Sequence, residues 1–159
     1  MTFARHVGQS LTLREPMRLT RYTDNALRAL IYIGLHDDTP SRITDIARRM
    51  GMSEDHTAKV IARLAELGFV TTLRGRAGGV RLARPAAEIN IGQVVRATED
   101  NLNLVECFDA EANRCPIAPA CALAPALDEA LGAFLAVLDR YTLAQLTEKP
   151  RALQRLLIA

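Results

Sequence analysis

Residues 51–84 read GMSEDHTAKVIARLAELGFVTTLRGRAGGVRLAR, and the fold turns on this stretch. Ser53 is a good N-cap for a helix over Glu54–Leu67, and Gly68 suits the position just past its end. Val60, Ile61, Leu64 and Leu67 recur at the spacing of one buried helical face. Phe69–Leu73 is rich in β-branched and aromatic residues and reads as a strand. Arg74–Gly79 is a glycine-rich turn, and Val80–Ala83 returns as an alternating strand. Upstream, Arg42–Met50 forms a short helix that Gly51 stops. Two helices across a tight turn also describe an αα-corner of any helical protein. The hairpin that follows, carrying Arg74, Arg76, Arg81 and Arg84, makes the pattern a winged helix-turn-helix built to meet double-stranded DNA.

In that arrangement the start of the third helix faces base edges in the major groove. Ser53, Glu54, Asp55, His56 and Lys59 are the candidates. The two acids would repel phosphates, so they read bases or point away. Arg74 is expected in the minor groove or on the backbone, with Arg76 and Arg81 supplying salt-dependent phosphate affinity.

Charge agrees with this reading. Residues 1–84 hold 14 Lys/Arg against 8 Asp/Glu, and residues 85–159 hold 6 against 10. Basic charge concentrated in the first half suits a polyanion there, although a solvated surface would carry it too. With 49% apolar residues the 159-residue chain can bury a core. No apolar run approaches the ~20 residues of a membrane span, and the N-terminus lacks the apolar stretch of a secretory signal. A cytoplasmic protein is expected. No Cys-x-x-Cys pair, phosphate-binding glycine loop or nucleophile–base constellation points to an enzyme.

Outward from the winged helix (17–86), residues 1–16 read as an extension, either disordered or created by a start site upstream of Met17. Thr23–His36 carries Ala26, Leu27, Leu30, Ile31 and Ile33 on one helical face. A connecting helix over Ile89–Thr98 and a cysteine loop occupy 87–123. In 124–159, Pro125 opens a long helix predicted to reach Leu146, with Asp128 and Glu129 in its first turn. Its stripe of Leu127, Leu131, Phe134, Leu135, Leu138 and Leu146 has little core left to cover, so it is expected to pair two chains. The class is mainly α: a winged helix-turn-helix, a cysteine loop suited to binding a cluster or metal, and a long dimerisation helix.

All three cysteines, Cys107, Cys115 and Cys121, fall within fifteen residues. An odd count without an export signal argues against a disulfide framework. Pro116 and Pro119 stiffen the loop. Three thiolates from one loop suit a soft metal centre. His6, His36 and His56 all lie in the N-terminal part, so a closed zinc site would need a distant fourth ligand. Spacing alone leaves four readings: an iron–sulfur cluster, zinc, a thiol redox switch, or inert thiols.

Three segments carry a resemblance: Met17-Arg18-Leu19-Thr20-Arg21-Tyr22-Thr23-Asp24, the wing Arg74-Gly75-x-x-Gly78-Gly79, and Cys115-Pro-Ile-Ala-Pro-Ala-Cys121. They resemble the NsrR-type nitric-oxide-sensing repressors, part of a larger group of iron–sulfur winged-helix regulators that includes IscR. Tyr141-Thr142-Leu143 also matches. The resemblance implies a homodimer whose long helices pack on each other. It implies ligation by Cys107, Cys115 and Cys121, with Asp24 of the other subunit as fourth ligand. It implies a 4Fe–4S cluster, with 2Fe–2S as the alternative form, and operator DNA released when nitric oxide reacts there. A regulator that senses redox state through iron–sulfur or thiol chemistry, without specificity for nitric oxide, is the alternative. IscR-type proteins place a histidine three residues after the last cysteine; here Ala124 stands there, which argues against that subclass.

Overall fold

The computed structural model describes residues 18–75 and 77–158. The 1–16 extension and Met17 lie outside the described residues, as do Arg76 and Ala159.

Helix α1 (Arg21–Leu35) starts where the Thr20 side chain accepts the Thr23 N–H. The cap is itself held, because the Thr20 N–H and hydroxyl both donate to Glu99 Oε1 at 2.8 and 3.2 Å. The helix therefore begins two residues before the predicted Thr23. Ala26, Ala29, Leu30 and Ile33 form its buried stripe. Helix α2 (Ile43–Met50) ends at Gly51, whose φ of 66° is left-handed and turns the chain so that the Met52 N–H meets the Ala47 carbonyl. Helix α3 (Glu54–Glu66) is capped by Ser53 Oγ on the His56 N–H and buries Thr57, Val60, Ile61 and Leu64. Gly68, at φ 73°, ends it.

Strands β1 (Val70–Leu73) and β2 (Gly79–Leu82) pair antiparallel with Val70 opposite Leu82 and Thr71 opposite Arg81. The pleat sends Val70, Val80 and Leu82 into the core and Thr71 and Arg81 to solvent. Ser41, between α1 and α2, exchanges two 2.8 Å backbone hydrogen bonds with Val80. The base of the hairpin is thereby tied to the helices.

Helix α4 (Ile91–Thr98), capped by Asn90, buries Ile91, Val94 and Val95. Ile89, Ile91 and Val94 join α1 and α3 in one core, as does Leu143 from far down the chain. Residues on either side of position 86 thus pack into one core.

Helix α5 (Leu123–Leu138) departs from expectation. It starts two residues before Pro125 and closes at Leu138, eight residues short of Leu146. The stripe that suggested one long helix spans two elements. Asp139–Thr142 turn the chain, Thr142 pairs with Asn90, and the short helix α6 (Leu143–Leu146) drops Leu143 into the core. Thr142 and Gln145 close a capping box, which favours a new helix start over continuation. A further helix, α7 (Pro150–Ile158), packs beside α2, where Arg49 Nη1 donates to the Leu157 carbonyl at 2.7 Å. Among the described residues, no helix is long and apolar enough to cross a membrane.

Candidate functional site

Two surfaces carry the predicted residues: the α3–hairpin face and the cysteine loop. On the first, Ser53, Glu54, Asp55 and Lys59 are exposed along the start of α3. His56 is not. Its ring turns half inward against Tyr22, edge to face at 5.8 Å, and its Nε2 is buried without a hydrogen-bond partner among the described residues. Tyr22 in turn donates its hydroxyl to the Lys59 carbonyl at 3.3 Å. Burial pushes the Tyr22 hydroxyl pKa up, with Arg63 pulling it down and Glu66 and Asp100 adding to the rise, so it stays a donor. Tyr22 and His56 fasten α1 to α3, leaving Ser53, Asp55 and Lys59 facing outward.

On the hairpin, Arg74 and Arg81 are exposed. Arg84, expected to decorate the wing, lies over the Phe69 ring at 5.0 Å, and its Nε is buried. It packs the hairpin base rather than reaching out. Gly75, with φ of 102°, makes the tip possible, and a side chain at Gly78 would run into the Leu73 carbonyl oxygen.

Asp24 stands exposed in the first turn of α1, 3.4 Å from Arg28 Nε. Arg28 Nη1 reaches the Met50 carbonyl at 3.2 Å, at the last residue of α2 before the turn. Asp24 also shares a cleft of about 400 Å³ with Met52, Ser53 and His56. The candidate ligand thus opens onto the cleft where α3 begins, a proximity that sequence spacing does not reveal.

The cysteine loop sits between α4 and α5. Cys107 lies in a single 3₁₀ turn over Glu106–Phe108, Cys115 opens the turn into a second over Ala118–Ala120, and Cys121 follows it. All three are half-buried, and none forms a disulfide. The loop is held by short-range hydrogen bonds, such as the Arg114 N–H to Glu106 Oε1 at 2.6 Å and the Cys115 N–H to Asn113 Oδ1 at 3.0 Å. Among the described residues, no three Cys, His, Asp or Glu side chains are gathered closely enough in one chain to hold a metal ion. Three thiols in one loop are a donor set that fits an iron–sulfur cluster, with a fourth ligand supplied from outside the loop.

Helix α5 beside the loop buries none of its sixteen residues within the chain, and only Asp128 and Glu129 among them are charged. Leu123, Phe134 and Val137 are 60%, 44% and 43% exposed, and Ile117 in the cysteine loop is 63% exposed. Leu127, Leu131, Leu135 and Leu138 lean half-buried toward the chain, while Leu146 belongs to α6 and the core.

A profile of the Rrf2 family, described as an iron-dependent transcriptional regulator, matches residues 19–149. The HTH-type transcriptional regulator NsrR of Geobacillus kaustophilus is 52% identical over 142 residues, which cover 89% of this chain and 97% of the relative. That of Bacillus subtilis is 50% identical over the same length, with the same coverage. Among solved structures, T. potens IscR superposes with a TM-score of 0.68 at 24% identity, covering 84% of this chain and 88% of its own. The global cysteine regulator CymR of B. subtilis superposes with a TM-score of 0.66 at 22% identity, covering 83% and 97%. At these identities the two structures speak for the winged-helix fold alone.

Proposed function

The chain belongs to the Rrf2 family of transcriptional regulators, and on that premise we propose that it is a homodimeric repressor whose hold on operator DNA is released by nitric oxide. It is a regulator and not an enzyme. The observation that carries the reading is the shared cleft: Asp24 opens beside the capped start of α3, so the proposed sensor and reader are neighbours.

In this reading the exposed Ser53, Asp55 and Lys59 meet base edges, with His56 behind them holding the ring contact to Tyr22. Arg74 and Arg81, together with Arg76, meet phosphates or the minor groove. The apolar outer face of α5 pairs with its copy, which brings two readers to one palindromic site.

Cys107, Cys115 and Cys121 would hold an iron–sulfur cluster, 4Fe–4S before 2Fe–2S, with Asp24 of the partner as oxygen ligand. Bound there, the cluster would supply iron as the centre for nitric oxide chemistry. The loop's hydrogen bonds are short-range, so its thiols can be drawn together without unpicking the core. Asp24 stands 3.4 Å from Arg28 Nε, so as a ligand across the dimer it would have to be shared with or released by Arg28. Because Arg28 also donates to the Met50 carbonyl, that release would bear on the turn ahead of α3.

The test is anaerobic reconstitution, iron and sulfide analysis, and operator titration with and without nitric oxide, run beside Cys115→Ser. The iron-loaded protein should bind its operator about a hundredfold more tightly than the nitric-oxide-treated form, equivalent to ~2.7 kcal/mol. The serine variant should lose iron and the response together. Equal affinity of loaded, treated and iron-free protein overturns the proposal. A second reading, a thiol-oxidation regulator, draws on the ungathered, half-buried thiols. It requires an iron-free protein that binds DNA and lets go reversibly on oxidation.

A further inference from the structure

The joint between α4 and α5 performs no task in the reading above, yet several hydrogen bonds converge on it. Arg96 Nη1 and Nη2 reach Asp139 Oδ1 and Oδ2 at 2.6 and 2.7 Å, a two-pronged fit that fixes the plane of both groups. Asn90 Nδ2 donates to the Asp139 carbonyl at 2.6 Å. The Ile91 N–H meets the Tyr141 carbonyl at 3.0 Å, and the Leu143 N–H meets that of Ile89 at 2.9 Å. Gly92 makes room for this: a Cβ there would collide with the Asp139 carboxylate and stand 3.0 Å from Arg96 Nη1. Below the joint, Leu143 is locked in the core; above it, no residue of α5 is buried.

We propose that Arg96 and Asp139 are positioning residues that set operator specificity: their clasp fixes the direction in which α5 leaves the winged helix, and with it the separation of half-sites that a dimer accepts. The inference rests on the dimeric DNA-binding reading above.

Geometry supplies the leverage. Sixteen residues of α helix span about 24 Å at ~1.5 Å per residue, so a tilt of roughly 10° at the joint moves the far end by about 4 Å. Half-sites lie about one helical turn apart, ~34 Å for ~10 base pairs, so that displacement is close to one base pair. The clasp is well suited to this task because it is half-exposed and adds little to folding, while its planar geometry tolerates one orientation only.

The experiment selects bound duplexes from random DNA with the full-length, iron-loaded protein. Affinity is then measured for the selected site, for the same half-sites moved by one base pair either way, and for a single half-site. The proteins are wild type, Arg96→Met, Arg96→Lys and Asp139→Asn. Wild type should prefer one separation. In Arg96→Met and Asp139→Asn that preference should shrink by about tenfold while single half-site affinity stays within about twofold, because the base-reading surface is untouched. Arg96→Lys, which keeps the charge but loses the second prong, should fall between. If Arg96→Met does not fold, Asp139→Asn and Arg96→Lys carry the same comparison. Undiminished spacing preference in the folded variants overturns this proposal and leaves the repressor reading standing. A wild type with no preference for paired half-sites overturns both.

Discussion

Phe134→Asp puts the assembly to the test. Phe134 lies on the outer face of α5 and is 44% exposed in the single chain. A phenylalanine carries roughly 200 Å² of side-chain surface, so about 90 Å² remains for a partner to cover. At ~25 cal/mol per Å² that is about 2 kcal/mol, and a two-fold interface counts it twice, for ~4 kcal/mol. The expected loss of dimer affinity is about a thousandfold, before any cost of placing a carboxylate against apolar surface. Sedimentation velocity over a concentration series reads it directly. Leu156→Asp supplies the control: Leu156 is 77% exposed on α7, and the same exchange there should leave the assembly unchanged. A Phe134→Asp protein that sediments as the same dimer, with a dissociation constant within about threefold of wild type, would refute pairing through this face of α5.

Three further outcomes follow from particular contacts. Leu143→Ala removes a fully buried side chain whose Cδ2 stands 3.4 Å from where a Cβ on Gly34 would lie; it should cost about 2–5 kcal/mol in denaturant unfolding, and a loss under 1 would mean α6 is not part of the core. Gly51→Ala has open space around it but a φ of 66°, so it should destabilise by about 1 kcal/mol through backbone strain alone. The hydrogen bond from Arg96 holds the Asp139 carboxyl below its ordinary pKa. The clasp therefore contributes fully above the ordinary carboxylate value of about 3.9 and fades as pH falls through the lower folded value. A carboxyl NMR titration should find Asp139 depressed in wild type and returned toward normal in Arg96→Met, and an unchanged midpoint would remove the clasp from solution.

The winged helix was legible because its signals are short-range. Ser53, Gly51 and Gly68 mark helix ends within one turn of where they act, and Val60, Ile61 and Leu64 lie on one face of one helix. The end of α5 was not legible. Leu138 and Leu146 continue an apolar period across a break, and what makes the break are partners 43 and 49 residues away, Arg96 and Asn90. Side-chain direction was equally hidden: composition places Arg84 and His56 among basic, DNA-facing neighbours, whereas packing against Phe69 and Tyr22 turns both inward. For the cysteine loop, spacing singles out Cys107, Cys115 and Cys121 as candidates but does not determine how they are arranged, since no periodicity governs an irregular loop; among the described residues they are not gathered. The adjacency of Asp24 to the start of α3 arises from α1 crossing α3, a tertiary fact with no sequence period.

The paired bonds between Ser41 and Val80 bear on how a duplex would be read. A side chain at Gly79 would strike the Ser41 carbonyl and Pro40, so the stitch is close and admits little play. In the proposed complex, α3 and the hairpin would then act as the two jaws of a fixed caliper. Misfit in the distance between the grooves they enter would have to be absorbed by the nucleic acid, so base steps touched by no side chain would be selected for how readily they bend.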